Sequence, residues 1–191
     1  VITRIGLKRL LTKLYSRKRG KEKGIIALLE YLISTQENKS TTEDEIYDIL
    51  KNQLSTKIRA STRQSDIFFN ILYEYVLKIN TKNKEETKIR LTEANFSVEG
   101  ELESDYISLN EEGKSLANQL LEISKLIKSA LTKFQKMKYK DKENMIDEIK
   151  ELESLMNKTY SSSVILDENL SLSNPKDKVY WVELKNRENP N

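Results

Sequence analysis

Leu7, Leu11 and Leu14 recur at spacings of four and three near the start of the chain, with Lys8, Arg9 and Lys13 between them. That period predicts an amphipathic basic helix over 5–15, which runs into Ser16-Arg17-Lys18-Arg19-Gly20, a basic stretch ending in a helix breaker. A second helix is expected over 24–34, where Ile25, Leu28, Leu29, Leu32 and Ile33 form a broad apolar face. After a polar linker, Thr42-Glu43-Asp44-Glu45 matches a capping box, and Ile46, Ile49, Leu50 and Leu54 supply the buried stripe of a short third segment. Ser61-Thr62-Arg63-Gln64 repeats the capping signal and opens a helix carrying Ile67, Phe68, Ile71, Leu72 and Tyr75.

The period changes after Ile79. Residues 87–91 and 105–109 alternate polar and apolar, as half-buried strands do, with an acidic stretch between them. Asn110-Glu111-Glu112 then makes a good helix start, a capping side chain followed by two acids at the positive end of the helix dipole. Leu116, Leu120, Ile123, Ile127, Ala130, Phe134 and Met137 follow in an unbroken seven-residue repeat, and Met145, Ile149, Leu152 and Met156 resume it beyond Lys138–Lys142. Two readings stay open: an antiparallel hairpin that buries both seams against each other, or a dimerisation or partner surface built from Leu116, Leu120, Ile123, Ile127 and Phe134. Residues 161–173 are Ser-rich, with Val164-Ile165-Leu166 a short strand candidate. Val179–Leu184 is the best strand candidate in the chain, and it holds Trp181, a further candidate partner contact.

Helix, helix, helix, strand, acidic loop, strand, long helix is the order of a winged helix-turn-helix domain. The most specific segment is Tyr106-Ile107-Ser108-Leu109-Asn110-Glu111-Glu112-Gly113-Lys114-Ser115-Leu116-Ala117. It resembles the wing-to-helix junction of MarR-like and PadR-like bacterial regulators, with Asn110 where Thr is commoner. The resemblance spans about residues 24–135, and its specific part is those twelve residues. It implies a mainly α (α+β) fold: a winged helix with a small β-hairpin wing, then a long helix or helical hairpin and a short C-terminal β segment. It also implies that the third helix reads DNA. The residues so placed are Ser61, Thr62, Arg63 and Gln64, with Lys57 and Arg59 just before them. Arg and Gln suit bidentate contacts with guanine and adenine, while Ser61 and Gln64 also have a purely capping role available to them.

Charge adds a second surface. The formal charge of +3 hides an asymmetry: residues 1–23 hold nine Lys/Arg against Glu22, a net +8, and the remainder holds 24 basic and 29 acidic residues, a net −5. The cations Lys8, Arg9, Arg17, Lys18 and Arg19 form a solvated helix, a phosphate-contacting arm or a membrane-surface helix, three readings that the pattern alone leaves open. Glu93, Glu99, Glu101, Glu103 and Asp105 make the expected wing anionic, which repels phosphates and suits a protein partner instead.

With no His and no Cys, the chain cannot build a Ser-His-Asp or Cys-His nucleophile, a thiolate or imidazole metal site, or a disulfide. Five glycines include no phosphate-cradling loop. Glu183-Leu184-Lys185, preceded by Asp177, is the one nuclease-like pattern. It lies too near the last residue to carry the rest of such a fold, so no catalytic residue, metal or cofactor is expected. No apolar run nears the roughly 20 residues of a membrane span, no signal-peptide core is present, and a cysteine-free chain suits the cytoplasm. The chain opens on Val1 without Met, as a processed chain or a piece of a longer protein would.

The expected organisation is a basic N-terminal helix (1–23), a winged helix (24–112), a coiled-coil-like hairpin (113–160) and a C-terminal extended segment (161–191). The expected function is non-enzymatic binding of double-stranded DNA in transcriptional or plasmid/phage regulation, as a homodimer or with a protein partner. The alternative is an assembly subunit of a larger DNA-processing complex that uses the same elements for protein contacts.

Overall fold

A computed structural model describes residues 2–15, 24, 27, 41–82, 88–91, 103–136, 146–171 and 180–183. Helix α1 (Arg4–Tyr15) is capped by Thr3, whose Oγ1 accepts from the Gly6 amide at 2.9 Å and whose carbonyl accepts from Leu7 at 2.9 Å. Helix α2 (Thr41–Asp48) passes through a π-helical stretch, Ile49–Leu54, directly into α3 (Ser55–Lys82). Helices α4 (Glu103–Lys136) and α5 (Ile146–Ser171) complete the framework. Strand β1 (Lys88–Leu91) pairs antiparallel with β2 (Tyr180–Glu183), Lys88 opposite Glu183 and Leu91 opposite Tyr180.

The π-helical stretch follows from spacing. Ile46, Ile49, Leu54 and Ile58 are all buried, at steps of three, five and four. At 100° per residue, a step of five would turn Leu54 about 140° away from Ile49 in an α-helix. The wider i→i+5 turn of a π-helix brings it back to the interior. Outside the turn, the Asp48 carboxylate accepts from Asn52 Nδ2 at 2.7 Å and from Gln53 Nε2 at 2.9 Å, which holds the Asp48 carboxyl below the usual carboxylate range.

Pairwise contacts set the helix directions. From α2 and α3 to α4 the partners run Glu45 to Lys133, Lys57 to Glu122, Gln64 to Glu112 and Lys78 to Asp105, so the number falls on one side as it rises on the other. From α4 to α5, Ser124 Oγ donates to the Met156 carbonyl at 3.3 Å and Ser163 Oγ to the Ala117 carbonyl at 2.8 Å. Helix α1 packs between α3 and α5, with Arg4 on Asp66 at 3.2 Å and Lys13 on Glu151 at 3.0 Å. The result is an up-down-up-down bundle of α1, α3, α4 and α5, in which α3 lies between α1 and α4.

The interior is the heptad seam. Leu116, Leu120, Ile123, Ile127, Ala130 and Phe134 are each 0% exposed within the single chain. The seam also extends backwards: Leu109 and Gly113 continue the three-four spacing, and both are buried. At Gly113 three helices converge, because a Cβ there would fall inside contact distance of Leu170 Cδ1 and within 2.8 Å of the Phe68 ring. Serine and threonine extend the interior of α5, where Thr159 Oγ1 donates to the Leu155 carbonyl at 2.8 Å. Near the α3–α4 end, burial pushes the Tyr75 phenol up to about 12, with Tyr106 and Asp105 adding in the same direction.

A winged helix is not what this sequence forms. Residues 105–109, expected as the second wing strand, lie in the first two turns of α4, and β1 pairs with β2 rather than with them. The alternation at Tyr106, Ile107 and Leu109 was ambiguous between periods; Leu109 joins the three-four seam, and thirty-four residues of one helix bury more than an isolated hairpin. Asn110 accordingly sits inside a helix, where its Nδ2 donates to the Tyr106 hydroxyl at 3.2 Å, and caps nothing. Ser61 likewise lies inside α3, six residues after its first, so no helix opens there. Val164-Ile165-Leu166 is helical within α5. The expected second helix is described only at buried Gly24 and helical Ala27. The acidic tip residues Glu93, Glu99 and Glu101, and the loop Lys138–Lys142, lie outside the described residues.

Candidate nucleic-acid interface

The eleven residues expected to meet DNA divide into three groups. Arg17, Lys18 and Arg19 lie outside the described residues. Ser61, Thr62 and Gln64 face inward or bond within the bundle. Ser61 is 0% exposed, Thr62 Oγ1 donates to the Ile58 carbonyl at 2.9 Å, and Gln64 Nε2 donates to the Glu112 carbonyl and carboxylate. Lys57 is held by Glu122 of α4. The remaining four, Lys8, Arg9, Arg59 and Arg63, are exposed.

Helix geometry puts those four at one level of the bundle. Arg4 meets Asp66 of α3, and Lys13, further along α1, meets Glu151 near the start of α5, which runs in the same direction as α3; α1 is therefore antiparallel to α3, and one turn onward in α1 stands level with one turn back in α3. Lys8 and Arg9 therefore lie level with the Arg59–Arg63 stretch, on the adjoining helix. The intervening acid, Asp66, is already engaged by Arg4. Lys8, in the row of Arg4, thus joins Arg59 and Arg63 on the α1–α3 side of the bundle, while Arg9, in the row of Lys13, is exposed beside them.

Sequence reading missed a second row. Lys114, Lys125 and Lys128 are exposed on α4, and from Leu116 to Lys136 that helix carries one acid, Glu122, which pairs with Lys57. The signal was present as lysines spaced three, four or multiples of a turn on the side opposite the seam, but the apolar repeat dominated the pattern. Charge is therefore segregated around the bundle. Helix α1 carries four bases and no acid, whereas α5 carries six acids against Lys150 and Lys158. The first ten residues of α4 hold four acids and no base, so its basic part begins at Lys114.

The candidate partner surface resolves differently. Leu116, Leu120, Ile123, Ile127 and Phe134 are buried against the chain's own helices, which leaves none of their area for a second subunit while the bundle is folded. Trp181 stands in β2 opposite Arg90 of β1.

Ser61 provides a direct check on the capping role. Its hydroxyl is buried and without a hydrogen-bond partner, a state that destabilises rather than supports a helix. Ser61→Ala is expected to raise stability by about 1 kcal/mol in urea unfolding, from relief of that hydroxyl and the better helix propensity of Ala. A capping serine would instead cost about 1 kcal/mol on the same change, so the sign decides.

No protein-family model, curated protein or solved structure matches the chain. Among the described residues no group of three or more acidic side chains is placed to hold a metal ion, and no helix is long and apolar enough to cross a membrane.

Proposed function

We propose that the chain is a non-enzymatic module that binds double-stranded DNA through the cationic corner of its helical bundle centred on α3. The observation that carries this reading is that Lys8 of α1, in the row of Arg4, stands level with Arg59 and Arg63 on the α1-facing side of α3, with Arg9 beside it and all four exposed. Clustered cations gain affinity for a duplex by releasing the counterions condensed on its phosphates. The acidic α5 lies at the opposite corner and orients the bundle, because it is repelled by the same phosphates. Regulation of transcription, or of a plasmid or phage, and a cytoplasmic setting belong to this proposal.

The test is fluorescence-anisotropy titration of a short duplex across a salt series. Wild-type protein is expected to bind with a steep fall in affinity as salt rises, and Arg59→Glu with Arg63→Glu to weaken binding at least about tenfold at low salt. Helicity by circular dichroism controls for folding, since both side chains are exposed. Unchanged affinity in the double variant would refute this surface. Deleting residues 1–23 is not a usable substitute, because Leu7, Leu11 and Leu14 are part of the core.

A second reading, an assembly subunit that contacts protein, draws on Ile67, Tyr73 and Leu77, which stay exposed along α3. Absence of DNA retention at physiological salt, together with a stoichiometric partner lost on Tyr73→Lys, would favour it.

A further inference from the structure

We infer that the preferred nucleic acid is a duplex that continues into an unpaired strand, and that Tyr73 of α3 stacks on an unpaired base of that strand. This inference rests on the proposed DNA binding and names the substrate class of the same site, through a side chain that the α1–α3 cations do not include.

Position carries the first step. Arg59, Arg63, Asp66, Asn70, Tyr73 and Leu77 follow one another along α3 at alternating spacings of four and three. At 100° per residue they form one stripe, within about 40° of a line through Arg59 and Leu77. The stripe faces away from the core side of the helix, where Ile58, Phe68, Tyr75 and Val76 are buried. Its two ends differ. Arg59 and Arg63 make one end cationic and exposed; Asp66 is engaged by Arg4, and Asn70 is uncharged and exposed. Tyr73 and Leu77 make the other end apolar, with Tyr73 49% exposed. From Arg63 to Tyr73 is about 15 Å along the axis, at 1.5 Å per residue.

Chemistry then selects the occupant. Between Asp66 and Lys78, α3 has no lysine or arginine, and Lys78 itself is bound to Asp105. The one acid of that stretch, Glu74, is exposed about a quarter turn round from Tyr73. This end of the stripe therefore offers nothing to a phosphate, whereas an aromatic ring accepts the uncharged face of any base. In a duplex those faces are covered by the neighbouring pairs, so only a base freed from pairing can present one. A strand held at Arg59 and Arg63 by its paired part covers the distance to Tyr73 in about four nucleotides at 3.4 Å each. Leu77, one turn beyond, lengthens the apolar shelf. The exposed aromatic of α5, Tyr160, lacks this setting, because Glu153 and Asp167 share its stripe.

The experiment titrates the full chain with a blunt duplex and with the same duplex carrying single-stranded extensions of increasing length, on either strand. Wild type is compared with Tyr73→Ala and Tyr73→Phe, and an abasic extension keeps the phosphates while removing the bases. Tyr73 is exposed, so folding is retained in both variants and is verified by circular dichroism. Wild type is expected to gain roughly 5- to 100-fold over the blunt duplex once the extension reaches about four nucleotides. Tyr73→Ala should lose that gain and keep its affinity for the blunt duplex, Tyr73→Phe should keep both, and the abasic extension should give no gain. Equal binding of blunt and extended duplexes by wild type, with the loss in Arg59→Glu/Arg63→Glu intact, overturns the stacking role and leaves the DNA-binding proposal standing. A gain that survives Tyr73→Ala or the abasic extension overturns it too, and so does a loss in Tyr73→Ala that is equal on blunt and extended duplexes. A protein partner lost on Tyr73→Ala with no change on the extended duplex overturns it in favour of the assembly reading. Failure of wild type to bind any of these duplexes at low salt overturns both proposals.

Discussion

Phe134→Ala should lower the unfolding free energy by about 3–5 kcal/mol, the range for removing a fully buried aromatic ring, with no change in oligomeric state. Phe134 is 0% exposed near the C-terminal end of α4 and closes the seam that Leu116, Leu120, Ile123 and Ile127 begin. A loss of that size is a large share of the 5–15 kcal/mol that holds a typical domain together. The cost combines lost transfer free energy with a cavity that the surrounding helices cannot fully close. Urea unfolding at several protein concentrations checks it. A seam buried within one chain gives a midpoint independent of concentration, whereas a seam shared between two chains gives a midpoint that rises with concentration. Concentration dependence, or a loss below about 1 kcal/mol, would contradict the intramolecular core.

The second large effect is expected at Gly113. Two replacements separate the opposing terms there. Alanine gains up to about 1 kcal/mol of helix propensity over glycine, but its Cβ meets Leu170 and the Phe68 ring edge. Leu170 sits one residue from the end of α5 and can give way; Phe68 is 4% exposed and cannot. Gly113→Ala should therefore be destabilising by about 1–2 kcal/mol, overpacking outweighing the gain in propensity. Gly113→Leu must place three further carbons where α3, α4 and α5 already touch, and should cost about 3 kcal/mol or more, at the upper end of overpacking. A Gly113→Leu protein as stable as wild type would mean that the three helices do not meet there.

Gly113 also shows why the sequence misled. In the segment Tyr106–Ala117 a glycine followed by lysine looks like the junction after a wing, since glycine is the usual residue at a tight turn. The same glycine fits the seam: Leu109, Gly113, Leu116 and Leu120 keep the four-three spacing, and a missing side chain at a seam position means close helix approach rather than chain reversal. Period-two and period-3.6 patterns coincide over four or five residues, so only the longer register separates them. The seam itself was fully legible, as was the basic amphipathic α1, because both rest on repeated spacing. The start of α2 at Thr41 falls within one residue of the Thr42 capping box.

The continuity of α2 and α3 was less accessible. Ser61 and Gln64 match a capping pattern, yet the residues before them keep an inward stripe once a five-residue step from Ile49 to Leu54 is allowed. A π-turn breaks the period on which helix detection depends, so one rod looks like two helices. Of the candidate interface, the exposed arginines were found for a reason that did not survive. The capping pattern makes Arg63 part of a reader helix and Arg59 its flank, whereas in the bundle both stand level with Lys8 through the packing of α1 on α3. The lysines of α4 became visible only when the bundle showed which side of the heptad faces outward.

The placement of α1 between α3 and α5 bears on how the chain reaches this state. Lys13 finds its partner Glu151 near the other end of the sequence, and β1 awaits β2, whereas α4 and α5 are near neighbours along the chain. During synthesis α1 emerges with its apolar stripe exposed long before the groove that receives it exists. The α4–α5 hairpin closes a short loop and has the lower entropic cost to form. Assembly should therefore proceed from the C-terminal half backwards, with α1 docking last, and the basic residues interspersed along α1 keep that waiting segment in water.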